Sequence, residues 1–255
     1  MPDRILLKLG GSVITDKGGD CRIDHARLSA IAKAVADAQP GGLVIVHGAG
    51  SCGHPEAKLY RLDRGVKAGH AEGIAVTHRA VSALNAEVVS ALRTQGIEAV
   101  GIHPLHAGYA DDGRLVSFES RHLDRMLALK MVPVIHGDVV MDHTRGACIV
   151  SGDQLVSYLA GKLAVRRVGL ATDVPGVLDG GNVVPVITPA TVTTLRIGSS
   201  THTDVTGGMR GKITELIGLA SSGIEAEIFH VSRIPDFLNG RDCGGTRVTT
   251  DRQGE

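Results

Sequence analysis

Short apolar runs, each stopped by glycine, recur along this chain between longer stretches with helical spacing. Ile5 to Leu9 (ILLKL) runs into Gly10 and Gly11, Gly42 to His47 (GLVIVH) into Gly48, and Val132 to His136 (VPVIH) into Gly137. A strand with one wet face alternates apolar and polar residues; these do not, as expected of strands covered on both faces. Ala99 to His103, Val168 to Thr172 and Ala226 to Val231 add further strands. Between them His25 to Ala38, Ala71 to Gln95, Glu119 to Leu129, Ser151 to Lys162 and Lys212 to Ser221 read as helices, with Asp24 placed to cap the first and Gly96 to end the second. This alternation predicts an α/β fold around a mainly parallel central sheet. Ala107 to Gly113 breaks the rhythm as a hairpin turn, Asp179 to Pro189 as an exposed loop, and Gly198 to Gly211 as a polar, glycine-rich lead into a helix.

Bulk composition narrows the function classes. With 255 residues the chain makes one large or two small lobes. The only candidate boundary is soft and falls near Gly161 to Arg167. Aromatic residues are 2% and Trp is absent, so Val, Ile, Leu and Ala must build the core. Lys plus Arg and Asp plus Glu both number 27, which lacks the basic excess of a nucleic-acid binder. The four cysteines, Cys21, Cys52, Cys148 and Cys243, form no C-x-x-C pair, which argues against a zinc site or a disulfide framework. No leader sequence and no apolar run of ~18 residues is visible, so a reduced, cytoplasmic setting away from membranes is expected.

Several motifs carry chemistry. In Lys8-Leu9-Gly10-Gly11-Ser12 a lysine ends a strand before paired glycines, which let backbone N–H groups approach an anion; Lys17 is near enough in sequence to join. The plain alternative is a strand-ending turn. Gly48-Ala49-Gly50-Ser51-Cys52-Gly53-His54 follows the next strand, at a strand end where open α/β sheets bind ligands. Its glycines match the dinucleotide-binding spacing, but no acidic residue for a ribose follows the next strand; His54 is either a phosphate donor or a surface residue. Gly152 and Asp153 start a helix, where the carboxylate either serves the helix end or holds lysines. Asp173, in Thr172-Asp173-Val174-Pro175-Gly176, sits in a turn that could also meet a nucleotide. Thr206-Gly207-Gly208-Met209-Arg210-Gly211-Lys212 departs from the P-loop pattern, with Thr206 in place of glycine and Ile213 in place of the Mg²⁺-binding hydroxyl. A glycine-rich loop before a helix is an anion site all the same, and an anion would explain a lysine at the helix start.

Taken in order, KLGGSVITDK, VHGAGSCGHP, VPVIHGDVV, SGDQL, TDVPGV and TDVTGGMRGK resemble the amino acid kinase superfamily over nearly the whole chain, and GAGS-x-GH is similar to its isopentenyl phosphate kinase branch. The resemblance implies an open αβα sandwich in which roughly residues 1–160 hold the acceptor and 161–255 the nucleotide. It implies ATP with Mg²⁺, isopentenyl phosphate as acceptor, and a homodimer. Lys8 and Lys212 would meet the ATP phosphates with Gly10 and Gly11 as backbone donors, Ser12 would border the nucleotide, and Asp153 would organise the lysines. Lys17 would assist the transferring phosphate. Ala49, Gly50, His54 and Gly152 would surround the acceptor phosphate, with Asp173 and Gly207 along the nucleotide. Cys52 stands where the family usually has Phe, and the segment after TDVPGV is shorter than usual. Two other readings stay open: another kinase of this fold, such as a fosfomycin kinase, and a non-catalytic nucleotide sensor. Ile74, Thr77 and Val81 read as plain core or as the wall of an acceptor-tail pocket.

Overall fold

The computed structural model describes residues 4–16, 21–69, 71–195 and 208–250. Strand β1 (Ile5–Leu9) leads into the short helix α1 (Gly11–Ile14), then α2 (His25–Ala38), β2 (Leu43–His47), α3 (Gly50–Leu59), α4 (Glu72–Thr94), β3 (Ala99–Ile102) and α5 (Pro104–Ala107). A hairpin of β4 (Gly108–Asp111) and β5 (Arg114–Phe118) precedes α6 (Arg121–Ala128), β6 (Val132–His136) and a second hairpin, β7 (Asp138–Asp142) with β8 (Gly146–Val150). Next come α7 (Gly152–Lys162), β9 (Arg167–Thr172) and the short strands β10 (Leu178–Asp179), β11 (Asn182–Val183) and β12 (Val186–Ile187). The chain then forms α8 (Gly208–Ser221), β13 (Ala226–His230), α9 (Ile234–Leu238) and β14 (Thr246–Val248).

The main sheet has the order β12-β14-β13-β9-β1-β2-β6-β3. All its neighbours are parallel except β13 and β14. The chain leaves β1 for β2 on one side and later returns to β9 on the other. The strand order therefore reverses at β1, and a crevice opens beyond its carboxyl end.

Strand periodicity decides which groups reach that crevice. Ile5, Leu7 and Leu9 pack with Leu28, Ile31, Leu84, Val88 and Phe237 from α2, α4 and α9. Leu6 faces the opposite layer, with Leu123, Leu155, Leu159, Ile213 and Leu216 from α6, α7 and α8. Side chains alternate across a strand, so Lys8 points to the same layer as Leu6, where α7 and α8 lie.

The expected alternation of elements is present, and Asp24 does cap α2, accepting from the Arg27 backbone N–H at 2.8 Å. Three readings need correction, and one hairpin has no counterpart among the expected elements. The glycine stretch from Gly50 is the first turn of α3, a helix that carries Pro55 inside it. The stretch after Gly137 is a hairpin whose strands join β4 and β5 in a second sheet, ordered β5-β4-β7-β8. Helix α8 starts at Gly208, so Lys212 lies one turn in. Cys21 and Cys52, read as unpaired, form a disulfide that ties the segment after α1 to the first turn of α3. The Cα atoms are 4.2 Å apart, a proximity that spacing along the chain does not reveal.

Candidate active site

Four helices begin at the rim of one cavity of about 930 Å³ beyond the end of β1: α1 at Gly10 and Gly11, α3 at Ala49 and Gly50, α7 at Ser151 and Gly152, and α8 at Gly208. The starts of the longer helices α3, α7 and α8 bring the positive ends of their dipoles to this rim. A chain without net charge thus gathers positive potential at one point.

Glycine lets the loops meet backbone to backbone. A Cβ on Gly11 would lie 2.5 Å from both the nitrogen and the Cα of Gly50. Gly50 has a φ of +56° and itself has Thr15 Oγ1 2.2 Å from where its Cβ would be. Thr15 ties the two loops, donating to the Gly11 carbonyl at 2.9 Å and accepting from the Ser51 N–H at 3.0 Å. The expectation of Gly10 as a backbone donor to phosphate needs correction: its N–H is already committed, donating to the Ala171 carbonyl of β9 at 2.9 Å.

Charge gathers on the α7 and α8 side. Lys8 Nζ donates to Asp153 Oδ1 at 2.6 Å, and Lys212 Nζ to Asp153 Oδ2 at 3.3 Å. Ser151 caps α7 by accepting from the Gln154 N–H, which leaves the Asp153 carboxylate for the lysines. Burial pushes the Asp153 carboxyl up, but the ammonium groups of Lys212 and Lys8 outweigh it and hold the group at about 2. Lys8 is pulled down to about 8, first by burial, with Asp153 opposing and Lys212 adding to the fall. Among the described residues both ammonium groups converge on the Asp153 carboxylate in a nearly dry site, an arrangement suited to an anionic ligand.

Every proposed site residue within the described chain lines this cavity: Lys8, Gly10, Gly11, Ser12, Ala49, Gly50, His54, Gly152, Asp153, Asp173 and Lys212. Lys17 and Gly207 lie outside the described residues. Ser12 Oγ donates to Asp173 at 3.0 Å, linking the β1 and β9 strand ends. Thr77 and Val81 of α4 also line the cavity, whereas Ile74 packs on a small cluster around Ala57 and Leu62. The Ser51 and Thr77 hydroxyls are buried without partners among the described residues. Sequence reasoning passed over Ser51; its signal is a hydroxyl at a helix start facing a glycine loop.

Near the ends of β3 and β6 lies a set of histidines that no sequence spacing announced. His78 Nδ1 is 2.9 Å from the buried Asp138 carboxylate, and that hydrogen bond raises the His78 pKa. His103 Nδ1 is 2.8 Å from His136 Nε2. Among the described residues no group of histidine, cysteine and acidic side chains could hold a metal ion.

The family model described as "Amino acid kinase family" matches residues 3–230. The chain is 41% identical over 242 residues to an isopentenyl phosphate kinase from Haloferax volcanii, covering 94% of this chain and 96% of that protein. It is 39% identical to an isopentenyl phosphate kinase from Methanothermobacter thermautotrophicus, covering 96% of this chain and 98% of that one. Among solved structures, one titled "X-ray structures of isopentenyl phosphate kinase" superposes with a TM-score of 0.86 at 37% identity, over 96% of this chain and 100% of that chain.

Proposed function

The chain belongs to the amino acid kinase family, and we propose that it moves the γ-phosphoryl group of ATP onto isopentenyl phosphate, giving isopentenyl diphosphate. The observation that carries this reading is the convergence of Lys8 and Lys212 on Asp153 in a cavity whose opposite wall starts a helix bearing His54. The near full-length likeness to two isopentenyl phosphate kinases supplies the acceptor.

The chemistry suits the groups available. A phosphate monoester has a second pKa near ~6 and is mostly dianionic at neutral pH. It attacks phosphorus without a general base. The obstacle is repulsion between two anions, so catalysis is positioning and charge stabilisation. In this reading Lys8 and Lys212 neutralise charge on the transferring phosphoryl group, and Asp153 holds both in place. Lys17 assists them, and Gly11 and Ser12 border the ATP phosphates. His54, Gly152 and the Ala49 and Gly50 N–H groups hold the acceptor phosphate. Asp173 and Gly207 lie along the nucleotide. ATP would enter as its magnesium complex, in which the ion would neutralise part of the phosphate charge beside Lys8 and Lys212. The acceptor is assigned to the β2 and α3 side and the nucleotide to the β9 and α8 side, in a homodimer.

An ATP-consumption screen with isopentenyl phosphate, dimethylallyl phosphate, longer prenyl phosphates and fosfomycin tests the reading. Turnover should be fastest with isopentenyl phosphate. Preference for fosfomycin, or ATP turnover indifferent to any acceptor, would refute it.

A further inference from the structure

His47 ends β2 and His136 ends β6, and the two are register partners on adjacent parallel strands. Both are fully buried, and their rings stack with centroids 5.6 Å apart. Neither lines the cavity, and the chemistry above uses neither.

The neighbours of His47 dictate where its proton sits. Asn85 of α4 brings Nδ2 to 3.2 Å from the Val134 carbonyl and to 3.0 Å from His47 Nε2. A carbonyl oxygen only accepts, so the Asn85 atom facing it is the NH₂ group. That group's other N–H is aimed at His47 Nε2, which must accept. Burial lowers the His47 pKa to about 4, so the ring is neutral at pH 7, and a neutral ring accepting at Nε2 carries its proton on Nδ1. Nδ1 lies 3.0 Å from the Gly48 carbonyl oxygen and donates to it. Gly101 on β3 makes room, since a Cβ there would meet Asn85 Oδ1 at 2.2 Å.

That bond fixes a peptide plane. In a trans peptide the C=O and the following N–H point to opposite sides, and no cis bond occurs among the described residues. The Gly48 carbonyl is held inward against the buried ring. The Ala49 N–H is therefore turned outward, to the cavity that Gly48, Ala49 and Gly50 line. The next strand repeats the construction: His136 Nδ1 is 3.0 Å from the Gly137 carbonyl, and its Nε2 accepts from His103.

We propose that His47, held in one tautomer by Asn85, is a positioning residue that locks the Gly48–Ala49 peptide so that the Ala49 N–H faces the acceptor phosphate. The last step rests on the reading of this cavity as a phosphate monoester site.

A matched pair of variants tests it. In His47→Asn the side-chain amide nitrogen falls near the old Nδ1 and keeps the bond to Gly48. In His47→Gln it falls near the old Nε2 and the bond is lost. Both lose the ring and its stacking, so their difference isolates the Nδ1 donor; thermal melts check that both fold. His47→Gln should raise KM for isopentenyl phosphate about tenfold with KM for ATP within about twofold, while His47→Asn stays within about threefold of the parent for both. Long-range proton–nitrogen spectra of the parent protein at neutral pH should show the Nδ1–H tautomer at His47. Inorganic phosphate should shift the Ala49 amide signal in the parent and in His47→Asn but not in His47→Gln. An Nε2–H tautomer, equal KM rises in the two variants, or an Ala49 amide indifferent to phosphate each overturns the proposal. A parent protein that binds phosphate at Ala49 yet leaves isopentenyl phosphate untouched would overturn the substrate assignment alone and leave the positioning role standing.

Discussion

Replacing Asp153 with Asn keeps the shape of the site and removes the carboxylate that lies between two lysines. Lys8 stands at about 8 against an ordinary 10.5, a difference worth about 3 kcal/mol against its charged form. Burial drives that fall, and Asp153 is the main force resisting it. An opposite charge at hydrogen-bond distance shifts a pKa by roughly one to three units, so without it Lys8 should drop to about 7 or lower. The sign is that of a base: Lys8 is charged below its pKa and loses its proton as pH rises through it. The profile of kcat/KM reports the free enzyme. For the parent it should be a bell, rising near ~6 as the acceptor becomes dianionic and falling near 8 as Lys8 deprotonates. In Asp153→Asn the alkaline limb should move to about 7 or below, and turnover at its best pH should fall on the order of 10²- to 10³-fold. Lys8→Arg supplies the control, because guanidinium stays charged across the range and its alkaline limb should vanish. A coupled assay of ADP release from pH 5.5 to 9.5 reads all three. If the limb stays put in Asp153→Asn, Asp153 is not what keeps Lys8 charged.

His54→Ala should lower kcat with isopentenyl phosphate on the order of 10²-fold or more; steady-state rates near those of the parent would remove His54 from the acceptor site. Gly11→Ala drives a Cβ to 2.5 Å from the Gly50 backbone, so the loops must separate, and activity should fall on the order of 10²-fold while circular dichroism stays native. The Cys21–Cys52 bridge spans 31 residues, which by loop closure stabilises the fold by about 3–4 kcal/mol. A reducing agent should lower the parent's melting temperature and leave that of Cys21→Ser unchanged, and an equal drop in both would rule the bridge out as the cause.

What could be read from the sequence is what one strand and the turn after it decide. Apart from Lys8 and the closing histidines, ILLKL, LVIVH and VPVIH are apolar because both of their faces are covered, and strand periodicity then sends Lys8 to the layer of α7 and α8. The glycines after these strands mark where backbones approach one another, so the cavity was locatable from loops alone. Helix α3 was not. Its opening, Gly-Ser-Cys-Gly-His-Pro, has two glycines and a proline that each disfavour a helix, and local propensity argues for a loop. The helix forms because distant groups overrule it: Thr15 accepts from Ser51, Cys21 bonds Cys52, and Val81 of α4 packs so close that a Cβ on Gly53 would lie 2.4 Å away.

The same distinction accounts for the histidines. His47 and His136 are 89 positions apart in the chain and become neighbours only because β6 pairs with β2. A sequence search for metal-binding spacing on one helix could not find them, and their surroundings do not suit a metal. The Nδ1 of each ring is directed at the carbonyl of the glycine that follows it, and each Nε2 is occupied by Asn85 or His103. Such a histidine offers no lone pair to a ligand. Its chemistry is spent on the backbone, and that is why the residue beside it can be glycine: the peptide that glycine would leave free to rotate is fixed by the ring instead. Flexibility needed for close approach and rigidity needed for a directed N–H are thereby supplied by two adjacent residues, His47 and Gly48, and a change at either should be felt at Ala49.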